Sequence, residues 1–419
     1  MSKSRMFTAC LLLALSVFSL AWSTSSAAPA DQVALATTLG PNENVSQTGE
    51  MSEAPQVAVF GDSVRAIWGE RSFNAVAVSE KTVGGSWQPL KYFEENTFTK
   101  TQFADIAVAG DGTTHIVYAA ESSIYHRSKP NGSTTWSGRN LVATDAFPNP
   151  VRMAAAPDGS VWVVWRDADG TALRYRRSTN GGLNWSGGDV AAQSGNMFAP
   201  DIAVGPDNQP HVVWYLRNVN PNGGVRYADW NGSGWTVGST GSGYGADPVI
   251  TVDSNNVQHI AYRQQSGSDW IIRHASRAAG QAWSAHENVR TTPGDAGYAP
   301  GLAVDRRGGV HISWSEFNAG GGRDVWYSSK AAAMQAFSAP LNISENGGGW
   351  NTRSAIAITE SGSATVAHVI YQRGVRGQDF DEIYSRTVRS EDCSSGSGQP
   401  STPSSLRFKL FLPLIHKGC

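Results

Sequence analysis

Short runs of alternating apolar and small residues, each followed by a polar turn, recur along the chain. In the clearest copy, residues 202–204 alternate, residues 206–209 have turn-forming composition, and residues 211–214 are β-branched or aromatic. This pattern predicts a β-hairpin. Seven such hairpins end on an aromatic residue, at Trp68, Tyr118, Trp165, Trp214, Tyr262, Trp314 and Tyr371. The aromatic returns every ~50 residues, which indicates seven structural repeats.

Each repeat carries two further strand signals after its hairpin, for example residues 225–228 and 234–237. Four short antiparallel strands per repeat are typical of a propeller blade, so we predict an all-β fold, a seven-bladed β-propeller over residues 42–389. A solenoid is the competing arrangement, but it would expose strand edges and need atypical end repeats. The seventh repeat lacks a fourth strand, and we expect the N-terminal segment around residues 44–47 to supply it and close the ring.

Both ends of the chain differ from the repeats. Residues 1–30 have the basic start, apolar core and small residues of a secretory signal peptide, which predicts a secreted or extracellular protein. Residues 390–405 are rich in Ser, Gly and Pro, a composition that is typical of a linker. Residues 406–419 form an apolar C-terminal tail that is too short to span a bilayer. The tail is expected either to dock as an edge strand or to attach the protein to the cell surface.

Composition narrows the function classes. The 419 residues include 45 Gly and 15 Trp, which suits short strands, tight turns and aromatic packing. A formal net charge of −2 excludes a strongly basic nucleic-acid binder. The sequence has no Cys/His cluster and no G-x-S-x-G motif, so we predict no metal and no cofactor. Outside the signal peptide the cysteines are Cys393 and Cys419, which either pair in an oxidising compartment or remain separate thiols.

Residues that recur in every repeat are expected to be structural. The closing tryptophans are interpreted as core between blades. Five histidines stand three residues before a closing aromatic, at His115, His211, His259, His311 and His368. A position repeated in five units belongs to the fold rather than to one site. Calcium binding at Asp167 and Asp169, or at Asp253 and Asn255, is an alternative, but no full oxygen-rich loop follows either pair.

One turn carries a family resemblance. Ser178-Thr-Asn-Gly-Gly-Leu-Asn-Trp185 resembles the Asp-box, S-x-D-x-G-x-x-W, of the sialidase-like (BNR-repeat) β-propellers, with Asn180 in the Asp position. Residues 276–283 keep the spacing but have Ala278 there. In that family the box is a structural turn on the face opposite the active site. The six blades, Arg-Ile-Pro segment and catalytic set of those sialidases do not map onto this sequence. The resemblance therefore implies the architecture and a glycan-related role.

The mouth of a propeller's central channel gathers loops from every blade and is the default ligand site. Glycoside hydrolysis needs paired carboxylates, and a tyrosine beside arginine can act as a base. The predicted catalytic residues are Glu121, Asp167, Glu316 and Tyr298. A guanidinium group can donate two parallel hydrogen bonds to a carboxylate, so we expect arginines to bind an acidic sugar. The predicted ligand-binding residues are Arg152, Arg217, Arg263, Arg353 and Arg373, and Phe198 and Trp350 are candidates for stacking on sugar rings. The loops of any propeller carry similar polar residues. The competing interpretation is therefore that these side chains form salt bridges or are solvated and do not bind a ligand.

Three functions remain open at this point. The first is a sialidase-like propeller that recognises acidic glycans and, if it is an enzyme, hydrolyses them as a glycoside hydrolase. The second is a non-catalytic surface adhesion or scaffold propeller. The third is a polysaccharide lyase acting on uronic acids. A glycan or polysaccharide is the expected partner of a monomeric protein in all three cases.

Overall fold

A computed structural model describes residues 36–93, 103–120, 122–144, 150–167, 169–192, 196–217, 223–292, 300–345, 349–362, 364–374 and 380–391. These residues form β-strands joined by turns and contain no helix, which confirms the predicted all-β fold. Accordingly, no helix in this described part of the chain is long and apolar enough to cross a membrane.

The strands follow the repeats in chain order. The described chain begins with β1 (Ala36–Leu39) and β2 (Glu43–Asn44). The first repeat contains β3 (Ser52–Phe60), β4 (Ser63–Glu70), β5 (Ala75–Thr82) and β6 (Lys91–Phe93). The second contains β7 (Ala104–Val108), β8 (Thr114–Ala120), β9 (Ser123–Lys129) and β10 (Asn140–Ala143). The third contains β11 (Val151–Ala155), β12 (Val161–Arg166), β13 (Ala172–Ser178) and β14 (Ser186–Ala192).

The later repeats continue the same order. The fourth contains β15 (Asn196–Val204), β16 (Pro210–Arg217), β17 (Gly224–Trp230) and β18 (Trp235–Ser239). The fifth contains β19 (Gly245–Val252), β20 (Gln258–Ser266), β21 (Asp269–Arg277) and β22 (Glu287–Thr292). The sixth contains β23 (Gly301–Val304), β24 (Val310–Phe317), β25 (Arg323–Lys330) and β26 (Leu341–Asn342). The seventh contains β27 (Trp350–Ser361), β28 (Ala364–Gly374) and β29 (Asp381–Glu391).

Hydrogen bonding divides the described strands into six sheets, five of four strands and one of nine. The expectation of seven separate sheets is therefore wrong. The nine-stranded sheet holds β23–β26 in one group and β27–β29 with β1 and β2 in the other, and a single parallel pairing of Arg323 with Trp350 joins the two groups. This pairing arises where the third strand of the sixth repeat approaches the first strand of the seventh.

The first strands of the repeats surround a common axis. Each contacts the first strand of the next repeat, and β27 of the last repeat contacts β3 of the first. This cyclic order makes the fold a β-propeller. The N-terminal strands β1 and β2 pair with β29, with Leu39 opposite Val388 and Glu43 opposite Ser385. They thus form the outer edge of the last repeat.

The closing aromatics fill the core. Trp68, Trp214 and Trp314 are fully buried, as are the tyrosines at the same position in other repeats. The clusters mix neighbouring repeats: Trp68 packs with Ile370 of β28 and with Val45 after β2. A buried tryptophan removes about 150–250 Å² from water, worth roughly 5 kcal/mol before entropy costs. The interpretation of these tryptophans as core is confirmed.

The turn at residues 178–185 is closed by its own side chains. The Asn180 Oδ1 atom accepts the Asn184 amide at 2.9 Å, and the Ser178 Oγ atom accepts the Gly182 amide at 2.8 Å. Ser178 lies opposite Val161, which lies opposite Ala155, the last residue of β11. The turn is therefore at the end of its blade away from the start of β11.

Candidate functional site

The starts of the innermost strands line a cavity of about 400 Å³. Each of the seven repeats contributes a segment to the described lining, and the first lining residues of these segments are Ala54, Phe103, Pro150, Phe198, Asp247, Pro300 and Arg353. Because every repeat takes part, the cavity lies at the centre of the ring. This is the position at which the sequence predicts a ligand site.

Backbone bulges direct side chains into the cavity. Ala54, Ala199, Asp247 and Arg353 have φ between 43° and 54°, and the pairing register of each of their strands shifts beside them. Positive φ is uncommon for residues other than glycine, and bulges often re-aim side chains next to binding sites. At Asp247 and Arg353 the consequence is a charged side chain in the lining.

Guanidinium groups outnumber carboxylates on the described wall, where Arg152, Arg166, Arg263 and Arg353 face Asp201 and Asp247. Three of the arginines have acidic partners. Arg152 Nε lies 3.7 Å from Asp201 Oδ1, Arg263 Nε binds Asp247 Oδ2, and Arg353 Nη1 lies 3.9 Å from Glu53 Oε2.

Arg166 differs from the other three arginines. Its guanidinium carbon lies 4.7 Å from the centre of the Phe198 ring, and its Nη1 donates to the Met197 carbonyl at 3.5 Å. In the described part of the chain it pairs with no carboxylate. Among the described lining residues, its charge is therefore available to an anionic ligand.

Two carboxylates, the buried Asp105 and the partly buried Asp201, flank Arg152 and tie successive repeats together. Asp105 Oδ2 accepts the Met153 amide of the next repeat, and Asp201 Oδ2 accepts the Ile250 amide, both at 2.8 Å. Burial raises the pKa of Asp105 to about 6, against the opposing effect of Arg152. Burial also raises the pKa of Asp201, again opposed by Arg152. Both acids therefore have structural partners, and Asp201 also lines the cavity.

An aromatic pair completes one sector of the wall. The rings of Phe198 and Tyr215 stack with centroids 5.5 Å apart. Burial, followed by the charge of Asp247, raises the pKa of Tyr215 to about 12. The phenol is therefore protonated at neutral pH and suited to donating a hydrogen bond rather than to removing a proton.

The structure brings together part of the predicted site. Arg152, Arg263 and Arg353 line the cavity, with Phe198 beside them. Trp350 lies outside the lining, with 43% of its surface exposed.

Arg217 and Arg373 lie outside the cavity lining. Arg217 is exposed, with its guanidinium carbon 5.8 Å from the Phe198 ring centre. Arg373 stacks on Tyr384 at 4.5 Å within the last repeat.

The two predicted catalytic acids that the structure describes, Asp167 and Glu316, have partners outside the cavity lining. Asp167 closes the turn after β12 by accepting the amides of Thr171 and Ala172. Glu316 accepts the indole N–H of Trp314 at 3.1 Å and pairs with Arg290 at 3.0 Å. Neither lines the cavity among its described residues. The other two predicted catalytic residues, Glu121 and Tyr298, lie outside the described residues.

Strand alternation explains these differences. Side chains two positions apart share a face of a strand, and adjacent ones point to opposite faces. Glu316 stands two residues after Trp314, so it faces the core with that tryptophan. Arg166, Tyr215 and Arg263 directly follow a closing aromatic, and all three line the cavity. The sequence prediction missed Arg166 and Tyr215, although this parity was a signal that could have found them.

The repeated histidines lie in the blades. His115 is 3.0 Å from His126, His311 bonds the Tyr327 hydroxyl at 2.6 Å, and His368 bonds Thr359 at 2.8 Å. Burial lowers the pKa of both His115 and His368 to about 4. None of the five repeated histidines is among the described cavity residues. The described residues also contain no group of three His, Cys, Asp or Glu side chains that could hold a metal ion.

Comparison with known proteins supports the fold. No protein-family model and no curated protein matches the chain. A polysaccharide lyase of family PL25, an ulvan lyase bound to -[GlcA(1-4)Rha3S]-, superposes with a TM-score of 0.56 at 10% identity, covering 82% of this chain and 93% of that one. The phage phi92 endosialidase superposes with a TM-score of 0.52 at 10% identity, covering 88% of this chain and 71% of that one. At such identity the likeness shows the shared β-propeller fold alone.

Proposed function

We propose that this chain is a secreted β-propeller that binds acidic glycans in its central cavity. The observation that carries the proposal is Arg166, a cavity guanidinium with no carboxylate partner in the described chain, placed against Phe198. Arginine binds carboxylate and sulfate groups through a planar fork of N–H donors. An aromatic ring beside it offers an apolar surface for a sugar. The names of the similar structures, an ulvan lyase bound to a GlcA-containing glycan and an endosialidase, agree with this ligand class.

The chemistry of the wall favours recognition over hydrolysis. Asp201 and Asp247, the carboxylates in the described lining, are each engaged by an arginine. Tyr215 keeps its proton at neutral pH because its pKa is about 12. A lyase base needs a pKa nearer the working pH. A non-catalytic adhesion or scaffold role therefore stands ahead of sialidase-like hydrolysis and of uronate elimination.

The proposal includes a seven-bladed ring, in which the last two blades share the Arg323–Trp350 pairing and β1 and β2 complete the last blade. The pairing of β2 with β29 supports it. It also includes removal of residues 1–30 on secretion, a linker at 390–405 and a surface-attachment role for the tail at 406–419. The first two residues of the predicted linker, Ser390 and Glu391, end β29 instead, and the rest of these segments lies outside the described residues. Membership of the sialidase-like repeat family is proposed on the closed turn around Asn180.

Binding is tested on the secreted chain with an array of uronate, sialylated, sulfated and neutral glycans, followed by calorimetric titration. Arg166→Met keeps the length of the side chain and removes its charge. Hydrogen bonds to a charged group are worth about 1.5–3 kcal/mol, so we expect about 10- to 100-fold weaker binding of acidic glycans. Arg174→Met is the matched control, because Arg174 is an exposed arginine of the same blade that pairs with Asp189 away from the cavity.

Binding that prefers neutral glycans, or an Arg166→Met variant with unchanged affinity, would refute the acidic site. The same preparations are assayed for release of a fluorogenic sialic acid conjugate and for unsaturated products from uronate polymers. Turnover in the first assay would make the protein a sialidase-like hydrolase, and turnover in the second a lyase. If neither assay shows turnover and glycan binding is saturable, the non-catalytic role is supported.

A further inference from the structure

An exposed pair of aromatic side chains lies where the sixth and seventh repeats meet. Phe317 at the end of β24 is 44% exposed, and Trp350 at the start of β27 is 43% exposed. Their rings meet edge to face with centroids 6.3 Å apart. The guanidinium carbon of Arg323 lies 3.9 Å from the centre of the Phe317 ring. We call Phe317, Trp350 and Arg323 the rim platform.

The backbone beneath the rim platform is fixed. The Arg323 amide donates to the Gly349 carbonyl at 2.9 Å, and the buried Asn351 side chain donates to the Arg323 carbonyl at 2.8 Å. Arg323 and Trp350 also form the parallel pairing that joins the two repeats. Exposed aromatic rings on a rigid frame lose little conformational entropy on binding, which is the property of a preorganised contact surface.

Trp350 of the rim platform lies close to a cavity-lining residue along its strand. Trp350 stands three residues before Arg353 on β27, a distance of at most about 10 Å at ~3.3 Å per residue. Tyr244 holds the corresponding place three residues before Asp247 and is 47% exposed. Both aromatics precede a bulge whose charged residue lines the cavity. Gly374 lies opposite Trp350 and has no side chain to cover it.

We infer that the rim platform is an outer subsite that stacks on a sugar ring of a glycan chain whose acidic unit occupies the central cavity. This inference rests on the proposed function and narrows it, because it makes the ligand an oligomer rather than a single terminal sugar. The apolar faces of Phe317 and Trp350 contact the C–H face of the ring. The buried Arg323 guanidinium stacks on the Phe317 ring and holds it in place.

The test compares chain lengths. Galacturonic acid and sialic acid, each as monomer, dimer, tetramer and hexamer, are titrated against the full secreted chain. We expect the wild-type affinity to rise from monomer to hexamer. Trp350→Ala should remove about a fivefold to tenfold gain for the hexamer, the size of an aromatic contact, and leave monomer affinity unchanged. Leu183→Ala, which removes an exposed apolar residue from the turn at the opposite end of its blade, is the control.

Folding and contact effects are separated by two further variants. Phe317→Ala should reduce the length dependence in the same way, and Trp350→Phe should restore part of it, with thermal melts showing that each variant is folded. The rim subsite would be overturned if the monomer binds and longer chains bind no more tightly. It would also be overturned if a folded Trp350→Ala variant still binds the hexamer more tightly than the monomer. In both cases the cavity proposal stands. Failure of both series at every length would instead reject the acidic-glycan proposal and the subsite with it.

Discussion

His368 provides a sharp test of how the blades are packed. Its side chain is buried in the last repeat, 3% exposed, and its Nε2 atom lies 2.8 Å from the Thr359 hydroxyl. Burial, with a smaller effect from Lys81, lowers its pKa from 6.5 to about 4. The neutral ring is thus stabilised by the fold, and the folded protein resists protonation that the unfolded chain accepts.

The shifted pKa of His368 makes the free energy of unfolding depend on pH, and the linkage between proton binding and folding gives the sign and size of this effect. The pKa of His368 is lower in the folded protein than in the unfolded chain. Its contribution to the free energy of unfolding is therefore fully present above pH 6.5 and is lost as the pH falls towards 4. The gap between 6.5 and about 4 corresponds to about 3 kcal/mol in total, of which about 2 kcal/mol is lost by pH 5. His368→Gln should therefore reduce the difference in unfolding free energy between pH 7.5 and pH 5 by about 2 kcal/mol, whatever its effect at pH 7.5.

The measurement is urea unfolding of wild type and variant at both pH values, followed by tryptophan fluorescence. Thr359→Val is the matched control, because it removes the hydrogen-bond partner of His368 and leaves the titrating group. It should lower stability at both pH values and keep most of the pH dependence. Equal pH dependence in wild type and His368→Gln would show that His368 is protonated without cost in the folded state and would refute the reasoning.

Two further predictions concern the structural role of Glu316 and that of the N-terminal strands β1 and β2. Glu316→Ala leaves Trp314 and Arg290 without their acceptor, so we expect a loss of about 1–3 kcal/mol in urea unfolding and unchanged glycan affinity; weaker binding at unchanged stability would instead place Glu316 in the site. Val45→Ala removes two buried methyl groups beside β2 and should cost about 2 kcal/mol in the same assay, whereas Thr38→Ala on the exposed β1 should be neutral. Equal stability of these two variants would contradict a structural role for the N-terminal strand.

Local patterns in the sequence were enough to predict the repeats. The alternation that ends on Trp214 or Trp314 specifies a strand with one buried face, and its return every ~50 residues requires similar units that bury each other. The same reasoning identified the closing aromatics as core and the repeated histidines as parts of the blades. It also predicted a ligand site at the centre, where the structure has a cavity whose lining includes the predicted Arg152, Arg263 and Arg353.

The rest depended on contacts between residues far apart in sequence. Alternation after Trp165 puts Arg166 and Asp167 on opposite faces, but only the packing of neighbouring repeats decides that the face of Arg166 lines the cavity. The bulge at Arg353 and the pairing of Arg323 with Trp350 arise from the approach of neighbouring repeats. Composition and periodicity thus determined which strands form and that they surround an axis, while packing between repeats decided which charges reach that axis and where the aromatic rim lies.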